Sequence, residues 1–128
     1  MRVLSIDPGL SITGFSILDQ SRIKTKLSAY GIIRPPKNES MGKRLNHIYE
    51  EITKVFDQFS PGVLAIEDAF YSKNVKSAMR LGQARGAIIL AAAQASIDVY
   101  EFAPRKVKQS VCGNGAASKE QVQFMVMQ

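Results

Sequence analysis

Val3-Leu4-Ser5-Ile6-Asp7-Pro8-Gly9 opens the chain, and Val63-Leu64-Ala65-Ile66-Glu67 repeats its pattern: an apolar, β-favouring run that ends on a carboxylate. Pro8-Gly9 follows the first run and Ser60-Pro61-Gly62 precedes the second, so both are strands bounded by turn residues. If the two strands lie parallel and adjacent, Asp7 and Glu67 share one edge of the sheet. Carboxylates that close repel unless a cation holds both ionised, which makes a divalent metal site the first functional expectation. Taken singly, Asp7 also suits a turn-initiating residue before Pro-Gly, and Glu67 a surface carboxylate at a strand end.

Working outward from these runs gives a mixed α/β sheet. Residues from Thr13 to Leu18 and from about Ile23 to Ile33 read as second and third strands, with Asp19-Gln20-Ser21 turning between them. Short turns between all three imply an antiparallel meander. Arg34-Pro35-Pro36-Lys37-Asn38 breaks the pattern, and Ser40 can cap a helix with Leu45, Ile48, Tyr49, Ile52, Val55, Phe56 and Phe59 on one face. This helix provides the crossover that a parallel fourth strand needs. A loop from Asp68 to Asn74, a long alanine-rich helix from Val75 to Gln94 and a fifth strand from Ile97 to Phe102 follow. Pro104 suits the first turn of a helix reaching about Val111; Gly113-Asn114-Gly115 reads as a loop, and Ser118-Lys119-Glu120-Gln121 as a capping box. The last helix is expected to be cut short, with no stop signal before Gln128.

A chain of 128 residues suits one domain, and no apolar run approaches the ~20 residues of a membrane span. The opening residues do not read as a signal peptide, and the lone Cys112 cannot form an internal disulfide, which suits a cytoplasmic protein. No Cys/His cluster argues for zinc. The net charge of +6 is uneven: residues 70–128 carry eight Lys and Arg against three acids, the first 69 nine against eight. A basic half facing an acidic pair fits a polyanionic partner, though a basic solvated surface fits the charge equally well.

Ile6-Asp7-Pro8-Gly9-Leu10 with Thr13-Gly14, Ala65-Ile66-Glu67 with Phe70, and Lys73-Asn74 through Leu81-Gly82-Gln83-Ala84-Arg85-Gly86 resemble RuvC-type Holliday junction resolvases. Val107-Lys108-Gln109 and the Gly-x-Gly loop leading to Lys119 continue the match. The resemblance implies a ribonuclease H-like fold, a single nuclease domain over 1–128, and Mg²⁺-dependent symmetric nicking of four-way junction DNA in bacterial recombination and repair. It also implies a homodimer and a branch-migration motor as partner. Asp7 and Glu67 match two of the family's four acidic metal ligands. The other two belong to a final C-terminal helix that this sequence is expected to lack, so the expectation for Mg²⁺ falls from two ions per site to weaker, single-ion binding.

The resemblance and the charge pattern together nominate Phe70, Lys73, Asn74, Arg80, Gln83, Arg85, Lys108 and Lys119 as DNA contacts. Phe70 is expected to stack on an unpaired base at the crossover, and the basic residues to meet phosphates, Arg85 and Lys119 foremost. Ala78, Gly82, Gly86 and the Ala91–Ala93 run would let a second helix, or the chain's own sheet, approach the long helix closely. Two other classes compete. A sugar kinase or actin-like ATPase opens with a similar Asp-x-Gly turn, but it needs a second phosphate-binding Asp-Gly element and far more chain. A junction-binding protein without catalysis would keep the basic surface and lack the two further acids.

Overall fold

The computed structural model describes residues 1–67 and 74–102. The elements run β1 (Arg2–Asp7), β2 (Thr13–Gln20), β3 (Thr25–Ile33), α1 (Met41–Phe59), β4 (Val63–Glu67), α2 (Val75–Gln94) and β5 (Asp98–Phe102). The expected helices and loop beyond Phe102, with Cys112, lie outside the described residues.

The strands form one five-stranded sheet in the order β3-β2-β1-β4-β5. β1 and β2, and β2 and β3, pair antiparallel, whereas β1 with β4 and β4 with β5 pair parallel through the helical crossovers. This is the mixed sheet that the sequence implies, a meander first and parallel strands after it.

Strand alternation divides the sheet into two unlike faces. Leu4, Ile6, Ile17, Ile33, Leu64 and Ile66 form one core with Ile48, Ile52, Val55 and Phe56 of α1 and Ala84, Ile88, Ala91 and Ala92 of α2. The three-and-four spacing on α1 sets its buried stripe, and the alanines let α2 seat close to its neighbours. Ser40 caps α1 by accepting from the Lys43 N–H, and Ser60 ends it in the left-handed region at φ 48°. On the opposite face Val3, Val63 and Ala65 form a smaller buried cluster with Phe102 against it.

One boundary differs from the sequence reading. β2 continues through Asp19 and Gln20, and the turn falls at Ser21–Lys24, where the Ser21 hydroxyl accepts from the Lys24 N–H. Arg2 explains the shift: its Nε and Nη2 donate to the two Asp19 carboxylate oxygens at 2.7 and 3.0 Å, and its Nη1 donates to the Phe59 carbonyl at 2.8 Å. Hydrogen bonds from Arg2 and then from Ser28 hold the Asp19 carboxyl at about 2, well below the usual range. Asp19 is therefore a cross-strand clip joining β1, β2 and the end of α1, not the first residue of a turn.

Candidate active site

β1 and β4 run parallel in register, with Ile6 opposite Ile66, so Asp7 and Glu67 occupy the next positions on adjacent strands. Strands so paired lie about 4.8 Å apart. Since Leu4, Ile6, Leu64 and Ile66 face the helices, Asp7 and Glu67 stand on the other face, in line with Val3, Ser5, Val63 and Ala65. Both acids are half-buried at the edge where the parallel strands end. The fold thus brings the two carboxylates that the sequence singled out to matching positions on adjacent strands, and a pair of carboxylates so placed suits a hard divalent cation. Among the described residues no group of three or more His, Cys, Asp or Glu joins them.

The loop after Asp7 is held by Thr13, Gly9 and Arg44. Thr13 is fully buried, and its hydroxyl both donates to the Gly9 carbonyl at 2.8 Å and accepts from the Gly9 N–H at 3.2 Å. A side chain at Gly9 would collide with the Ile12 carbonyl oxygen, 2.2 Å from its Cβ, so the loop closes only around a glycine. Arg44 of α1 donates from Nη2 to the Leu10 carbonyl at 3.3 Å. The sequence signal for this clamp was present in the Asp7-Pro8-Gly9 turn followed by Thr13-Gly14.

Thr13→Val keeps the side-chain shape and strands both Gly9 groups. It is expected to cost about 1–3 kcal/mol in urea unfolding and to lower activity by freeing the loop beside Asp7, with Thr13→Ser restoring both. A valine variant as stable and active as the parent would show the clamp to be incidental.

The DNA-contact candidates divide by position. Asn74 caps α2, its side-chain oxygen accepting from the Ser77 N–H at 2.8 Å. Arg80 and Gln83 are exposed on α2 and, with Lys76, Val75, Met79 and Met41, line an open groove of about 540 Å³. Lys76 was not among the nominated residues, yet it stands four and seven positions before Arg80 and Gln83 and so shares their stripe. Arg85 lies off that stripe, largely buried, and its guanidinium pairs with Glu101 of β5. Phe70, Lys73, Lys108 and Lys119 lie outside the described residues.

The comparisons with known proteins bear on this geometry. The sequence profile of crossover junction endodeoxyribonuclease RuvC matches residues 3–128. The chain belongs to the RuvC family. It is 43% identical over its whole length to the crossover junction endodeoxyribonuclease RuvC of Natranaerobius thermophilus, covering 80% of that protein. It is 48% identical over 126 residues to that of Tolumonas auensis, covering 72% of it. Among solved structures, T. thermophilus RuvC in complex with Holliday junction substrate matches with a TM-score of 0.82 and 31% identity, over 98% of this chain and 77% of that one. The sheet with its flanking helices is accordingly the ribonuclease H-like fold of RuvC proteins, and the chain is a member of a family of nucleases.

Proposed function

We infer that this RuvC-family chain is a Holliday junction resolvase, an endonuclease that makes symmetric nicks in four-way DNA junctions during recombination and repair. The observation that carries this reading is the placement of Asp7 and Glu67 in register on adjacent parallel strands, on the face opposite the two helices. Family membership and the likeness to a RuvC protein bound to a junction support it.

Asp7 and Glu67 would hold the divalent ion, with Mg²⁺ favoured by an all-oxygen donor set. When bound, such an ion activates water for attack on a phosphodiester and offsets charge on the departing 3′ oxygen. The chain's own part is to fix the two carboxylates on a rigid sheet edge and to keep the Pro8–Ile12 loop closed through Thr13 and Arg44. α2 follows β4 in the chain, and we assign Lys76, Arg80 and Gln83 in its first half to phosphates of the DNA held at the site. Phe70, Lys73, Asn74, Arg85, Lys108 and Lys119 are carried as DNA contacts on the strength of the family resemblance. For Arg85 this role requires its guanidinium to serve a phosphate while Glu101 stays beside it.

We read residues 1–128 as one nuclease domain working as a homodimer in the bacterial cytoplasm, with a branch-migration motor as its partner. Gly82 and Gly86 of α2 are exposed, whereas Ala84, Ala91 and Ala92 are buried against the core. The small residues thus divide between two duties, and Gly82 and Gly86, with the likewise exposed Ala78 and Ala93, are the ones left for a second subunit. A two-fold protein suits a two-fold junction. Sedimentation at micromolar concentration is expected to give twice the 14.1 kDa chain mass, and a monomer there would remove the dimer from this reading.

The deciding experiment incubates the chain with a labelled four-way junction and Mg²⁺ and scores bound and nicked DNA together. Symmetric nicks that vanish in Asp7→Asn are the expected result. Binding without nicking would leave a junction-binding protein that does not cut.

A further inference from the structure

β2 carries a glycine, Gly14, that packing among the described residues does not explain. A Cβ at Gly31 would lie 2.7 Å from the Phe15 ring, and one at Gly9 would strike the Ile12 carbonyl, so both positions need glycine for room. At Gly14, among the described residues, a Cβ would meet nothing within 4 Å, and φ lies outside the left-handed region. The strand is paired on both sides there, with Gly14 opposite Asp7 on β1 and Ile32 on β3. The register shift between β2 and β3 falls at Ile17 and Leu18, so a bulge is not the reason either. Glycine inside a strand weakens it, and beyond bulges and bends its use is close approach by a ligand or another backbone.

Directly opposed residues share a sheet face, so Gly14 lies on the carboxylate-bearing face, in one cross-strand row with Ile32, Asp7 and Glu67. Further along this face Ser5 and Ser16 are buried, but its β3 edge is exposed. Ile32 is 54% and Tyr30 79% exposed, whereas Ile33 and Ala29, on the other face, belong to the core. A half-buried position without a side chain therefore lies between Asp7 and an exposed apolar and aromatic edge.

We propose that Gly14 is the passage by which the DNA strand held at Asp7 and Glu67 crosses the sheet, its sugar–phosphate chain resting on the Gly14 backbone and continuing toward Ile32 and Tyr30. This rests on the resolvase reading above. An aromatic ring so placed can stack on a base of any sequence, and the missing side chain lets the phosphate chain come down to the level of the carboxylates.

The test compares the full chain with Gly14→Ala and Gly14→Val, and uses Gly42→Ala on α1 as a control. Melting temperature, Mg²⁺-dependent nicking and hydroxyl-radical protection of the junction in Ca²⁺ are read for each. Both Gly14 variants are expected to melt no lower than the parent. Nicking falls in order of side-chain size, by about 100-fold for valine, because a displacement of the reacting group by about an ångström costs that much. Protection of the nucleotides beside the crossover is lost in the valine variant, and the control changes neither nicking nor protection.

A valine variant that nicks and protects like the parent would overturn the inference alone. So would a loss of nicking that merely follows a lowered melting temperature, since Gly14 would then be structural. A parent chain that neither protects nor nicks the junction would overturn the resolvase reading, and this inference with it.

Discussion

Asp7→Asn is expected to lower junction nicking by roughly 10³-fold while leaving the metal-free protein at least as stable as the parent. The asparagine keeps the shape of the side chain and the backbone pairing with Gly14, so nothing in the sheet need move. What changes is charge. With Glu67 at the matching position of the adjacent strand, about 4.8 Å away along the sheet, two carboxylates repel in the absence of a cation, and neutralising one relieves that repulsion.

Ligand linkage gives a second readout that does not pass through DNA. Mg²⁺ bound only by the folded protein raises the melting temperature of the parent, and the asparagine variant should show little or no such rise. The two measurements together separate a metal ligand from a structural residue. An Asp7→Asn protein that melts well below the parent in EDTA would mark Asp7 as part of the fold. One that nicks at the parental rate would place the chemistry elsewhere.

The sequence made the architecture legible where local pattern and tertiary role coincide. β1 and β4 read as strands because their apolar runs end in turn residues, and α1 because its apolar stripe is the one that meets the core. Asp19 shows where such reading stops. Its type suits a turn, and only the arrival of Arg2 from a neighbouring strand makes it a strand residue.

The site shows a similar division. The shared edge of Asp7 and Glu67 could be anticipated because parallel pairing follows from a helical crossover. The partner of Arg85 could not, because a count of charges gives no hint that β5 brings Glu101 to its guanidinium. Thr13 and Gly14 stood in the matched motif but carry no charge, and their places, one clamping the loop and the other setting a position without a side chain in the row of Asp7, emerge only from strand register and burial.

Ile66→Ala should produce the largest loss of stability of the substitutions considered, about 2–5 kcal/mol, against about 0.5–1.5 kcal/mol for Ile66→Val. Ile66 is fully buried, stands opposite Ile6 on β1 and Glu101 on β5, and belongs to the cluster that joins the sheet to both helices. Domains of this size are stable by about 5–15 kcal/mol, so the alanine removes a large share of the whole. With a urea dependence of about 1–3 kcal/mol per molar, the unfolding midpoint should fall on the order of 1–3 M. The consequence reaches the site because strand alternation couples the two faces: the side chain that anchors β4 to the core directly precedes Glu67. As β4 settles toward the cavity, Glu67 shifts relative to Asp7, so nicking per folded molecule should fall in the alanine variant and persist in the valine one. If alanine and valine were equally stable, Ile66 would not be a packed anchor. If the alanine protein nicked normally once folded, Glu67 would be positioned by something other than the core beneath it.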